Sequence, residues 1–315
     1  MTGAFRREDD KICTYVIWRL RHCVVAGIVG VVRDFVERKN VQSRKITCYM
    51  PISNELKTVL ALRPLGLVFD IDGTLSPMAP TSDEARLYAG VVPLLERVRE
   101  RAHVAIMTGR AIDDGAKMVN VEGLTYIGTH GLEWCDGLPS LHPVQIVPEA
   151  LNYIEPGTYL LDLVEQELSR LPGVYVQRKH VGGTLHYRLS ANPEQSRRDI
   201  LEILEEPARR VNMRLREGKK MVEVLAPLAV NKGQALRRFV EHFQVQGVVF
   251  AGDDQTDLDA VLEVARLREE KRVVGGVSIV VQHADTLPVL LEHADMVVQE
   301  VRGMVDLLRE MVEVL

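Results

Sequence analysis

Five short apolar runs limit how this chain can fold. They are Leu65-Gly-Leu-Val-Phe69, His103-Val-Ala-Ile-Met107, Leu124-Thr-Tyr-Ile127, Gly247-Val-Val-Phe-Ala251 and Val277-Ser-Ile-Val-Val281. Each has strand length and no polar alternation, which is the pattern of a strand buried on both faces. Between them lie stretches with helical spacing, from Val91 to Glu100, Gly233 to Phe243 and Asp257 to Leu267. Doubly buried strands alternating with helices predict an α/β fold with a Rossmann-like parallel sheet core and helices on both sides. Sheets of this kind gather their functional residues beyond the carboxyl ends of the strands. Asp70, Thr108 and Asp253 fall at or just after such ends.

The text from about 141 to 225 has another texture. Helical spacing over 157–171 and 194–210, the latter weakened near its end by Pro207, accompanies four strand-like runs. These are 174–178, 184–189, 211–215 and 220–225, the last two joined at a Glu217-Gly218 turn. Leu185, Tyr187 and Leu189 alternate with Thr184, His186 and Arg188, as in a sheet with one buried face. Parallel-sheet text resumes at Val248. The expected organisation is therefore a core of residues 64–140 and 226–315, with an inserted α/β cap at 141–225. Residues 1–63 form an N-terminal extension expected to be dispensable. Its apolar run, Cys23 to Val32, is ten residues long, whereas spanning a membrane takes about 20. Met50, shortly before the patterned text, is an alternative start.

Charge narrows the classes of partner. Lys and Arg total 39 against 44 Asp and Glu, a formal net charge of −5. That balance lacks the basic footprint of a protein that coats nucleic acid or an anionic membrane. The four cysteines, Cys13, Cys23, Cys48 and Cys135, are spaced for neither a disulfide framework nor a structural zinc site. A cytoplasmic location is expected.

The chemistry concentrates in Asp70-Ile-Asp-Gly-Thr-Leu75. Period-two alternation points the carboxylates of Asp70 and Asp72 the same way, where they repel unless a cation lies between them. A hard metal such as Mg²⁺ suits that pair. Gly73 allows a tight turn whose backbone can contact an anion. Gly252-Asp-Asp-Gln-Thr-Asp257 adds Asp253 and Asp257 as metal candidates. Thr108 and Gly109 offer a hydroxyl and exposed backbone N–H groups to a phosphate. Lys232, in Asn231-Lys-Gly233, can bring a positive charge to the same place.

In combination these clusters resemble the four motifs of the haloacid-dehalogenase-like phosphatase superfamily. Within it the chain is similar to the trehalose-6-phosphate phosphatase family. That likeness rests on Gly128-Thr-His-Gly-Leu-Glu133, on Arg178-Lys179 followed by His186-Tyr-Arg188, and on Gly218-Lys-Lys-Met-Val-Glu223 followed by Asn231-Lys-Gly233. It covers Leu65 to the C-terminus. The resemblance implies that Asp70 is a nucleophile forming an aspartyl-phosphate and Asp72 the general acid/base. It implies Mg²⁺ held by Asp70, the backbone carbonyl of Asp72 and Asp253, with Asp257 or Asp254 assisting. Thr108, Gly109 and Lys232 would contact phosphate. Glu133, Lys179, His186, Arg188 and Glu223 would read the sugar of trehalose 6-phosphate. A trehalose-6-phosphate synthase is the implied functional neighbour.

The chain also departs from the family pattern. Thr108 stands where Ser is usual, Leu258 follows Asp257 where an acidic residue is usual, and Val224-Leu-Ala-Pro replaces a basic residue and Pro. Other glycosyl phosphates therefore stay open as substrates, namely sucrose phosphate or a mannosyl- or glucosyl-3-phosphoglycerate. An inactive sugar-phosphate-binding homologue is the third reading. The paired carboxylates speak against it.

Overall fold

The computed structural model describes residues 52–79, 84–218 and 220–315. The expectations for the N-terminal extension up to Met50, including the Cys23–Val32 run, lie outside the described residues. Twelve strands follow one another among those described. The first five are β1 (Leu65–Phe69), β2 (His103–Met107), β3 (Thr125–Gly128), β4 (Glu133–Asp136) and β5 (Gln145–Ile146). Next come β6 (Tyr175–Arg178), β7 (Gly183–His186), β8 (Arg214–Gly218) and β9 (Met221–Leu225). The last three are β10 (Gly247–Gly252), β11 (Gly275–Gln282) and β12 (Met296–Gln299).

Eight of these form one sheet in the order β12-β11-β10-β1-β2-β3-β4-β5. Its neighbours are parallel from β12 to β3 and antiparallel at β3–β4 and β4–β5. All five residues of β1 are buried, as doubly covered strands require. One face packs on the helices Asn54–Leu60, Val91–Val98, Ile112–Val119 and Glu300–Val314, through residues such as Leu56, Leu95, Ile112 and Leu308. The other packs on Lys232–Phe243, Leu258–Glu269 and Pro288–His293, through Phe239, Val264 and Leu290. Register decides where the chemistry sits. Phe69 lies opposite both Ala251 of β10 and Ile106 of β2, so the residues that follow these strands emerge side by side.

The remaining four strands form an antiparallel sheet in the order β6-β7-β9-β8. Leu185, Val222 and Val224 on one of its faces pack with Leu161, Ile200 and Leu204 of the helices Ile154–Glu167 and Pro193–Arg210. Several boundaries differ from expectation. The strand read at 184–189 stops at His186, and the one read at 211–215 runs over Arg214–Gly218, whereas the long helix ends at Arg210 as expected, with Pro207 inside it. Glu217 and Gly218 are strand residues, with Gly218 paired to Met221, and the reversal falls beside Lys220, whose φ is +62°. The sequence pattern did not announce β4, β5, β12 or the C-terminal helix. Two of those strands, β5 and β12, are the edges of the sheet, only two and four residues long and each held by a single neighbour. No helix among the described residues is long and apolar enough to cross a membrane.

Candidate active site

Asp70 follows β1 directly and donates its backbone N–H to the carbonyl of Ala251, 2.9 Å away. Its carboxylate meets Lys232, the first residue of a helix whose end is capped by the Asn231 side chain. Lys232 is 2% exposed and reaches into the sheet edge rather than into solvent. Its Nζ donates to Asp70 Oδ1 at 2.8 Å and to Asp257 Oδ1 at 2.7 Å. The other oxygen of Asp257 accepts from the backbone N–H groups of Asp253 and Asp254, each at 3.0 Å. Asp254 in turn caps the short turn at Gln255–Asp257. Thr74 Oγ1 donates to Asp253 Oδ1 at 3.2 Å. Gly73 has φ +86°, and a Cβ there would fall 2.0 Å from Asp253 Oδ2, so no larger residue fits.

Asp70, Asp253 and Asp257 each offer an oxygen within 4.8 Å of the others, and all three are buried. Lys232 lies among them as the bridging cation. Burial and the nearby Asp70 push the Asp253 carboxyl up to about 9. Burial, opposed by Lys232, raises Asp257 to about 6 and also raises Asp70. Burial works against the charge on Lys232, yet Asp257 and Asp70 outweigh it and hold the ammonium on. A buried, oxygen-only, under-neutralised cluster fits a hard divalent cation.

Asp72 is not in that set. The strand ends at Phe69, so period-two alternation no longer governs Asp72, three residues further on. Both Asp72 oxygens accept from Arg110 instead, from Nε at 2.6 Å and Nη2 at 2.7 Å. Arg110 belongs to the loop after β2, where the phosphate candidates lie. There Thr108 is buried and donates its N–H to Ile127 O, and its Oγ1 accepts from Arg110 N at 3.1 Å. A Cβ on Gly109 would lie 2.5 Å from the His130 ring, so Gly109 is what lets that ring settle on the loop.

On the facing side, Lys179 Nζ and Glu223 Oε1 are 3.3 Å apart. Arg216 donates to the other oxygen of Glu223 and to His130 Nε2 at 3.3 Å. Glu223 lies opposite Val222 and Val224 in strand alternation, as expected, and is buried all the same. Burial works against its charge, but Lys179 and Arg216 keep its carboxyl below the ordinary range. His186 stacks on Tyr175 and bonds Gln177, which donates to Asp114 of the core at 2.8 Å. Burial, helped by Lys179, drives the His186 ring down to about 4. Arg188 donates to the Ala79 carbonyl at 3.4 Å.

Glu133 is wholly buried and its oxygens are already engaged. One accepts from Ile112 N at 2.7 Å and the other from His180 N and Nδ1, both at 3.2 Å. It therefore joins the helix start after Thr108 to the loop between β6 and β7.

Sequence reading assigned no role to Arg110, His130 or Arg216. His130 was visible only as part of Gly128-Thr-His-Gly131. It adopts φ +57°, its Nδ1 and the neighbouring Thr129 Oγ1 are buried without a partner, and burial with Lys179 lowers its ring to about 3. A largely neutral imidazole, met at Nε2 by Arg216, and a neighbouring hydroxyl are thus buried with polar atoms to spare.

A parallel sheet whose strand ends carry Asp70, Thr108 and Asp253, with a buried lysine between, defines a haloacid-dehalogenase-like core with an inserted cap. The chain belongs to the trehalose-phosphatase family, whose model matches residues 68–289. It is 32% identical over 231 residues to a trehalose-phosphate phosphatase of Mycobacterium avium, covering 72% of this chain and 56% of the relative. A trehalose-phosphate phosphatase of Mycobacterium tuberculosis is 29% identical over 233 residues, with the same coverages of 72% and 56%. The chain thus spans little more than half the length of these relatives. Among solved structures, a trehalose-6-phosphate phosphatase related protein aligns at TM-score 0.64 and 23% identity, covering 79% of this chain and 98% of that one. The C-terminal domain of the C. albicans trehalose-6-phosphate phosphatase aligns at TM-score 0.66 and 19% identity, covering 85% and 99%. Both likenesses concern the fold.

Proposed function

We propose that the chain hydrolyses trehalose 6-phosphate to trehalose and phosphate through an aspartyl-phosphate on Asp70. The observation that carries this reading is the buried Asp70–Lys232–Asp257 bridge beside Asp253, in a chain of the trehalose-phosphatase family. Asp70, Asp253 and the backbone carbonyl of Asp72 would hold Mg²⁺, with Asp257 or Asp254 behind them, and the ion would offset phosphoryl charge. Thr108, Gly109 and Lys232 bind the phosphoryl oxygens and align phosphorus with Asp70. An oxygen of Asp70 forms the new bond to phosphorus as the bond to the sugar oxygen breaks. Asp72 gives that oxygen its proton, then takes one from the water that attacks phosphorus and frees Asp70.

Residues 141–225 act as the cap over the core of 64–140 and 226–315. Lys179, His186, Arg188 and Glu223 offer donors and acceptors to the sugar hydroxyls. Glu133, already bonded on both oxygens, serves the sugar pocket by fixing the His180 loop. The cap keeps water from the site until the sugar is seated. A cytoplasmic site of action and a trehalose-6-phosphate synthase as the source of substrate belong to the same proposal.

The Val-Leu-Ala-Pro text after Glu223 favours a second reading, another glycosyl phosphate as substrate. Phosphate release with Mg²⁺ from trehalose 6-phosphate, sucrose phosphate and glycosyl phosphoglycerates distinguishes the two.

A further inference from the structure

Beside the acidic cluster, Arg110 makes a two-bond ion pair. Its guanidinium grips both oxygens of Asp72, and the side chains are 11% and 32% exposed. The backbone beneath is fixed on both sides. Arg110 N donates to Thr108 Oγ1, and Arg110 O accepts from Thr129 N at 2.8 Å. The backbone at Arg110 is thereby pinned. Asp114 and Asp70 act on the same guanidinium from further away, so it already sits in the field of the reacting carboxylate.

Two facts conflict with leaving this pair in place during turnover. A carboxyl gripped on both oxygens by one guanidinium is turned towards that arginine and cannot swing to a leaving group while the grip lasts. A phosphoryl group beside Asp70 and Thr108 brings more negative charge than Asp72 and suits the same planar fork.

The geometry points to Arg110 as an exchange residue: it holds Asp72 until substrate arrives and transfers to the phosphoryl group when that group binds, releasing Asp72 towards the leaving oxygen. The assignment rests on the proposed phosphatase reading and deepens it. It makes the acid/base available only when phosphoryl is present. Asp72 and the phosphoryl group are then competitors for one cation.

Competition gives effects of opposite sign, read by tungstate binding in calorimetry with Mg²⁺ present and by steady-state kinetics. Arg110→Met should weaken tungstate about 10- to 100-fold and raise KM for trehalose 6-phosphate and p-nitrophenyl phosphate alike, with a much smaller fall in kcat. Asp72→Asn should tighten tungstate. Some tightening follows from charge alone, so the double variant decides: the gain from Asp72→Asn must shrink several-fold in the Arg110→Met background. Arg110→Lys, which keeps the charge without the fork, should fall between wild type and Arg110→Met. It also serves as the folded control, checked by melting.

If Arg110→Met leaves tungstate affinity and KM unchanged and lowers kcat for the sugar ester alone, Arg110 is a fixed brace and the exchange is wrong. An equal effect of Asp72→Asn in both backgrounds overturns it too. Should wild type cleave p-nitrophenyl phosphate but not trehalose 6-phosphate, the substrate reading fails, while the tungstate and p-nitrophenyl phosphate arms still decide the role of Arg110.

Discussion

Lys179 and Glu223 meet 3.3 Å apart inside the cap, with side chains only 2% and 4% exposed. A cation and an anion removed from water this completely stay together only with good partners: truncating Glu223 leaves Lys179 buried without its anion, whereas truncating Lys179 leaves Glu223 with Arg216. The pair therefore holds the cap sheet, and in the proposed reading it also presents polar atoms to a sugar. Glu223→Ala and Lys179→Ala should lower kcat/KM for trehalose 6-phosphate by about 5- to 150-fold, as for the loss of a buried hydrogen bond. Turnover of p-nitrophenyl phosphate, which has no sugar to hold, should change little. Both variants should melt lower, and Glu223→Gln less so because it keeps an acceptor. Equal losses on both esters would mean that the pair only holds the cap together.

The acidic cluster makes a prediction about stability. Asp253 is pushed up to about 9, above its value in an unfolded chain, so the folded protein takes up a proton there. Stability from this group is complete at pH below the unfolded value and declines as pH rises towards 9. Metal-free protein should therefore melt lower at pH 8.5 than at pH 6. Asp253→Asn should flatten this slope and raise the melting temperature of the metal-free protein by a few degrees, about what 1 kcal/mol gives in a chain of this size. Added Mg²⁺ should raise the melting temperature of the wild type and barely move that of the variant. A wild type indifferent to Mg²⁺ up to millimolar concentrations would contradict the metal assignment.

Much of this architecture is legible in the chain. Doubly apolar runs announce β1, β2, β3, β10 and β11, and the carboxylates after β1 and β10 announce the site, because burial and strand-end position both leave local marks. What depends on distant partners leaves none. Lys232 reads as readily as a surface lysine until Asp70, 162 positions earlier, is seen beside it. Alternation places Asp72 beside Asp70, but the strand stops at Phe69, and Arg110, 38 residues on, takes the carboxylate. Glu133 reads as a sugar contact from its text alone. Its burial and its bonds to Ile112 and His180 appear only in three dimensions.

Asp70→Asn keeps the volume of the side chain while removing the attacking oxygen and a metal ligand. Phosphate release should fall by several orders of magnitude under saturating Mg²⁺. The variant should still melt cooperatively, since Lys232 keeps its bond to Asp257. Retention of more than about a tenth of wild-type turnover would remove Asp70 from the nucleophile's role.

The most direct test is kcat/KM for phosphate release from a panel of sugar phosphates with Mg²⁺. Trehalose 6-phosphate should lead sucrose phosphate and the glycosyl phosphoglycerates by at least tenfold, the effect of about 1.4 kcal/mol in the cap contacts. A preference for any other ester in the panel, or no release from trehalose 6-phosphate at all, would contradict the account.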